Sequence, residues 1–188
     1  MAMNYQPSDP ILLGSGELYI GLAKDIEDLS NLTTTEEEAL VNIGAIESGA
    51  NIAIKTDKLE IKSGNRGTVK KITVDKEVRF STGIMTWIME NVSKYLLGAN
   101  FSKDELTGEQ KMVISRRDNS PIVYLRFVHE KQDGGTLTVN IYKAQFDSEL
   151  GLDFTQENPV TINYEFAGLA TDDLNYIEFI ETFGDQQG

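Results

Sequence analysis

Only the stretch Thr82–Gly98, TGIMTWIMENVSKYLLG, carries a helical period over several turns. Ile84, Met85, Ile88, Val92, Tyr95 and Leu96 recur there at spacings of three and four, which on a helix gathers them into one broad apolar stripe. Thr86, Glu90, Ser93 and Lys94 fall on the other side, with Glu90 and Lys94 an i,i+4 pair in the favourable order. Thr82 reads as the N-cap, and Gly98 stands where a left-handed closing residue is wanted. The spacing therefore predicts a helix over about residues 83–97, with those six apolar side chains as its core face. Nearly every other long segment alternates with a period of two. One amphipathic helix among strands has only a sheet to cover its stripe. The predicted fold is mainly β: an antiparallel β-sandwich or barrel with one flanking helix, in a single domain over 1–188.

Residues 1–9 form a polar arm, and 184–188 a short tail. ILLGSGELYIG (11–21) reads as a strand interrupted at Gly14-Ser15-Gly16. These glycines do not begin a dinucleotide loop, because the third glycine of that motif would fall on Tyr19. Thr35–Glu38 fits a capping box opening a short helix, with its carboxylates at the positive end of the helix dipole. Segments 42–47 and 51–61 read as strand. Ile52, Ile54 and Thr56 share a face, whereas Leu59 and Ile61 fall out of phase, which requires a bulge near Asp57-Lys58. Ser63–Gly67 is a turn with two glycines for positive φ, and 68–80 a long strand with Ile72, Val74, Val78 and Phe80 on one face. The two strands make a projecting hairpin. A polar connection over 100–110 leads to strands at 111–117 and 121–130. The run IVYLRFV, apolar on both faces apart from Arg126, belongs at the centre of a sheet or at a subunit seam. A turn at Asp133-Gly134-Gly135, a strand over 136–142, a short helical turn within 144–154 and strands near 160–166 and 176–183 complete the reading.

Charge is distributed unevenly along the chain. The formal net charge is −13, and no Lys or Arg follows Lys143, while residues 144–188 hold ten carboxylates. Segment 58–71 runs the other way, with Lys58, Lys62, Arg66, Lys70 and Lys71 against Glu60 alone. Without a dominant basic face, nucleic-acid binding is not expected. The absence of Cys excludes disulfides, thiolate metal sites and a Cys nucleophile. No apolar run is long enough to span a membrane, and no signal segment opens the chain. Hydrolase, zinc-protease and phosphate-loop motifs are missing, and the one histidine, His129, has no accompanying catalytic partner motif. Trp87, on the predicted helix, reads as core or interface. The expectation is a protein without catalysis, cofactor or metal.

Two binding roles remain. One is a self-assembling subunit, in which the basic hairpin (Lys58, Lys62, Arg66, Lys70, Lys71) meets an acidic surface on the next copy. The other is a monomeric β-sandwich that binds a carbohydrate or a protein through its loops.

Four stretches carry a family resemblance: YQPSDPILLGSGELYIG, GAIESGANIAIKTDKLEIKSGNRG, TGIMTWIMENVSKYLLG and PVTINYEF. Together they resemble the major tail tube proteins of tailed bacteriophages. The resemblance implies a β-sandwich or barrel with a flanking helix, assembled into hexameric rings that stack into a tube carrying DNA. It extends in fold to the tubes of contractile tails, tailocins and type VI secretion, so an inner tube of a contractile tail stands as the alternative within this class. The partners it implies are further copies of the chain, a tape-measure protein, tail terminator and baseplate proteins, and a sheath protein if the tail contracts. DNA passes without specific binding, no membrane is engaged, and the location is the virion, assembled in the bacterial host cytoplasm. A conduit for DNA should repel phosphate, so acids are expected on the inner wall, with Glu165, Asp172 and Asp173 as candidates.

Overall fold

The structure, a computed structural model, describes residues 16–132, 134–152, 154 and 160–184. The arm over 1–9, the interruption at Gly14-Ser15, Asp133 of the turn and the tail beyond Gly184 lie outside the described residues.

Ten strands are described: β1 (Glu17–Leu22), β2 (Val41–Asn42), β3 (Ile46–Ser63), β4 (Gly67–Ile84), β5 (Asn100–Lys103), β6 (Gln110–Val113), β7 (Ile122–Glu130), β8 (Thr136–Phe146), β9 (Ile162–Leu169) and β10 (Ile177–Glu181). Eight of them form one antiparallel sheet in the order β2-β1-β7-β8-β9-β4-β3, with β10 also paired to β8. β8 is the strand on which the sheet divides. Residues 137–141 pair with β10, and 143–146 with β9. The two arms fold over a common core, so that Phe80 of β4 meets Phe127 of β7 at 5.9 Å between ring centres although those strands never pair. Leu18, Ile20, Val123, Leu125, Ile141, Tyr164 and Phe166 fill the space between them. Each such side chain contributes roughly 1.5–3 kcal/mol by leaving water. The mainly β architecture is as the alternation predicts, and β7 sits between β1 and β8, the central place its two apolar faces require.

The helix exists but starts later than its spacing implies. β4 continues through Ile84, paired to Ile46 on one side and Ile162 on the other. Four residues of loop follow, then one α-helical turn, α2 (Met89–Asn91), passing into a π-helical segment, Val92–Leu97. Of the six predicted core-face residues, Val92, Tyr95 and Leu96 are buried on the helix, and Ile84 is buried as a strand residue. Met85 and Ile88 lie in the loop, 38% and 40% exposed. Trp87 lies there too, not on the helix, and is equally exposed. Thr82 caps nothing: its hydroxyl donates to the Gly49 carbonyl at 2.9 Å. The physical reason is that Val78, Phe80, Thr82 and Ile84 also alternate, and ladders on both edges of β4 outweigh a helical turn with none. Gly98 closes the helix as expected, at φ 61°, and a β-carbon there would strike the Asn119 carbonyl.

Other expectations shift by a few residues. The short helix α1 (Thr34–Glu38) is capped by Thr33 with Glu36, two residues before the predicted box. The Glu36 carboxylate accepts the Thr33 hydroxyl at 2.7 Å and the Glu27 N–H at 2.7 Å, and these bonds hold its carboxyl below the usual range. The 42–47 strand is divided between β2 and the start of β3. The polar connection at 100–110 contains β5, which pairs with a β6 shorter than the predicted 111–117 strand as a separate hairpin. β8 runs on to Phe146 where a helical turn was expected.

Candidate assembly surfaces

β3 and β4 are each 18 residues long, far longer than the sheet that anchors them. Their proximal parts belong to the body. Ile52 pairs across from Phe80, and Ile54 from Val78, with Val78 and Phe80 buried. Beyond them, every residue from 53 to 76 except Ser63 is exposed. At ~3.3 Å per residue this ribbon reaches about 35 Å past the body. A register shift falls at the predicted place, between Asp57 and Lys58, but the unmatched residue is Val74 on β4 and β3 keeps its own alternation. It has a consequence for the faces. Past the shift Leu59 lies opposite Ile72 and Ile61 opposite Lys70, on the face of β3 away from Ile52 and Ile54. Ile72 and Val78, expected on one face, therefore point to opposite sides. Only Gly67 of the two turn glycines has positive φ.

The ribbon carries the basic cluster between its apolar side chains. Lys71 and Lys62 converge on Glu60, at 2.6 and 3.6 Å. Among the described residues Lys58, Arg66 and Lys70 make no ion pair. Leu59, Ile61, Val69, Ile72 and Val74 are exposed beside them, Val69 and Val74 by 60% and 61%. A two-stranded ribbon is marginal in water on its own, and so long an apolar one invites pairing with another chain.

The acidic residues fall in different places. Glu165, on β9, is held by Arg79 at 2.7 Å, and the same guanidinium reaches Glu77 and Asp147 at 2.6 and 3.2 Å. These carboxylates hold Arg79 still further above its already high pKa. Glu165 thus presents no bare charge. Asp172 and Asp173 are exposed in the turn between β9 and β10, apart from Glu165 in the chain's path, with Lys143 only 3.7 Å from Asp172. Asp153, Glu157 and Asp185 lie outside the described residues.

Sequence reading did not single out β10. This strand pairs with β8 on one side and, among the described residues, with nothing on the other. Phe179 extends the core row Leu18–Phe127–Val139 past the edge of the sheet and is half exposed there. Just before β10, Leu174 takes φ 62°, the one non-glycine residue with positive φ among those described, and is 78% exposed. Just after it, Phe183 is exposed beneath the Lys131 ammonium, 4.2 Å from its ring centre, while Lys131 itself is buried against Glu181 at 3.0 Å. On the outer face a polar row crosses the same strands. Arg126 donates to Asn140 at 3.1 Å and to Glu37 at 2.8 Å, and Asn140 donates to Glu178 at 3.1 Å.

His129 is buried in β7 opposite Leu137. Among the described residues no cluster of three or more His, Asp or Glu could hold a metal ion, and no helix is long and apolar enough to cross a membrane. An open groove of about 840 Å³ lies beside the helix end, lined by Ile26, Leu29, Pro121, Ile122, Lys143 and Asp172 among others.

No protein-family model matches the chain, and no curated protein matches it. Among solved structures, it is similar to a chain of the virion of a native gene transfer agent particle, at 10% identity and TM-score 0.46, over 87% of this chain and 95% of that one. It is also similar to a chain of the anti-feeding prophage cap, a tube-terminating cap, at 11% identity and TM-score 0.44, over 97% and 95%. A chain of the anti-feeding prophage baseplate is more distant, at 11% identity and TM-score 0.32, over 95% and 99%. Likeness at this level decides nothing about what the chain does.

Proposed function

We propose that this chain is a structural building block of a phage tail or phage-tail-like particle, assembling through its β-structure into stacked rings that form a tube. The observation that carries the proposal is the ribbon over 53–76, whose length and exposed apolar side chains suit a place between subunits and serve no purpose in an isolated body. The open edges of β3 and β10 support it, since neighbouring copies that continue each other's sheets remove both edges. The sequence resemblance to tail tube proteins supplies the kind of assembly: hexameric rings, a lumen through which DNA is ejected, and a place in the virion with tape-measure, terminator and baseplate partners. The role involves no catalytic step.

The charge pattern is consistent with that role. With no Lys or Arg after Lys143, the chain's last quarter offers carboxylates that repel phosphate within about a Debye length, ~8 Å in physiological salt. Glu165 suits such a surface poorly, because Arg79 offsets its charge. A second reading, a monomeric binding module, has the groove near Ile122 in its favour. Negative-stain electron microscopy of the purified full chain separates the two. The proposal expects rings or tubes. A 20.9 kDa monomer that remains dispersed at high concentration and takes a ligand into the groove would replace it.

A further inference from the structure

Resting on the tube reading, a more specific contact can be derived, because the ribbon's surface restricts what covers it. Its distal half carries five cations against one carboxylate over residues 58–71, interleaved with Leu59, Ile61 and Ile72. Two ribbons face to face would set like charges together, so a ribbon does not complete a ribbon. A surface with exposed apolar side chains, an open strand edge and net negative charge does.

Such a surface is present elsewhere on the same chain. Residues 172–183 hold Asp172, Asp173, Glu178 and Glu181, and with Lys131 against Glu181 and Lys143 near Asp172 the surface keeps a net negative charge. They also expose Leu174, Phe179 and Phe183 along the free edge of β10. The turn before β10 is built to hold one of these side chains out. The Thr171 N–H donates to the Asn175 carbonyl at 2.9 Å, and the Asn175 N–H to the Thr171 hydroxyl at 3.1 Å, fixing Leu174 in the left-handed region where a bulky residue is disfavoured. A strained backbone that presents a leucine to solvent between acids and an aromatic edge is the kind of outlier that marks a contact.

We infer that the distal ribbon of one copy lies along the β10 edge of a neighbouring copy, its lysines and arginine against Asp172 and Asp173 and its Leu59–Ile72 face against Leu174, Phe179 and Phe183. The contact is heterologous: each copy donates a ribbon and accepts one. It therefore propagates into a ring or a stack instead of ending at a dimer.

The heterologous geometry gives a direct test. Lys62→Glu, Arg66→Glu and Lys70→Glu together reverse the donor, while Asp172→Lys and Asp173→Lys together reverse the acceptor. Each variant alone is expected to lose tubes while keeping the wild-type melting temperature, since all five residues are exposed. Mixed in equal amounts, the two restore tubes, because every donor then finds an acceptor of opposite sign in an alternating arrangement. A second measurement keeps the native charges. The chain has no Cys, so Leu59→Cys and Phe179→Cys chains, mixed and assembled, are expected to give a cross-linked dimer with a short bis-maleimide, and either chain alone none. Normal tubes from the acceptor variant, or wild-type-like tubes without the Leu59→Cys to Phe179→Cys cross-link, overturn this contact and leave the tube reading standing. A wild-type chain that forms no tube overturns both.

Discussion

The body of the sheet and the ribbon share two strands, yet they are stabilised in different ways. At Ile84, β4 is paired on both edges and its side chain is fully buried. A dozen residues earlier in the same strand, Ile72 has one ladder partner, Leu59, and solvent around both. The sequence alternates in both places, and the residue types are alike. What differs is the number of neighbours that cover them. Composition alone does not make a core, and the ribbon of a single copy is β-structure without one.

The strongest way to break this contrast is to place a charge in each half. Leu96→Asp buries an unpaired carboxylate under the helix and should destabilise the chain by about 4 kcal/mol or more, seen as loss of the folded state in a thermal melt. Leu59→Asp should change the melt by no more than about 0.5 kcal/mol and abolish assembly by light scattering. Equal effects on the melt would mean that the ribbon belongs to the body after all.

Alkali sharpens the contrast next. Burial pushes the Tyr164 hydroxyl up to about 12, so the folded chain keeps its proton where the unfolded chain, titrating near 10, has lost it. Stability from this group is intact below pH 10 and falls as pH rises toward 12, by about 1.4 kcal/mol per unit. Tyr124 is shifted the same way, mainly by burial, and adds to the slope. Denaturant melts between pH 9 and 12 should show the decline, with Tyr164→Phe flattening part of it. The ribbon contains no tyrosine between 53 and 76, so Leu59→Asp should leave that slope unchanged.

The smallest effect compares two glycines. Gly98 and Gly67 have φ near 61° and 71°, but a β-carbon on Gly98 meets the Asn119 carbonyl, whereas nothing lies within 4 Å of one on Gly67. Gly98→Ala should cost about 1–3 kcal/mol in a denaturant melt. Gly67→Ala carries backbone strain in a segment outside the cooperative body, and the same melt should not register it.

The same difference explains what could be read from the chain. The position of the register shift at Asp57-Lys58 was legible from the phase of Leu59 and Ile61 against Ile54, but not its strand: the extra residue is Val74 on β4, and Leu59 and Ile61 stay out of phase, on the opposite face. The start of the helix was not, because Ile84 ends one alternating run and begins one helical run. A ladder to Ile162, nearly eighty residues away, decides between them. β5 was hidden by its polar composition, with Phe101 the only large apolar residue in Asn100–Lys103. The basic hairpin was plain from charge and turn chemistry. Its proposed counterpart was not, since Phe179 and Leu174 look like ordinary core residues until the sheet order leaves β10 at an edge.

Amide hydrogen exchange, followed by mass spectrometry on the dispersed chain and on assembled particles, addresses the dependence of the ribbon on a neighbour most directly. In the dispersed chain, amides of residues 53–76 should exchange close to the rate of an open strand while those of β7 and β8 stay protected. On assembly the ribbon should become protected to a degree approaching that of the body. A ribbon already as slow to exchange as β7 in the monomer, or one still fast within an assembled particle, would contradict the account.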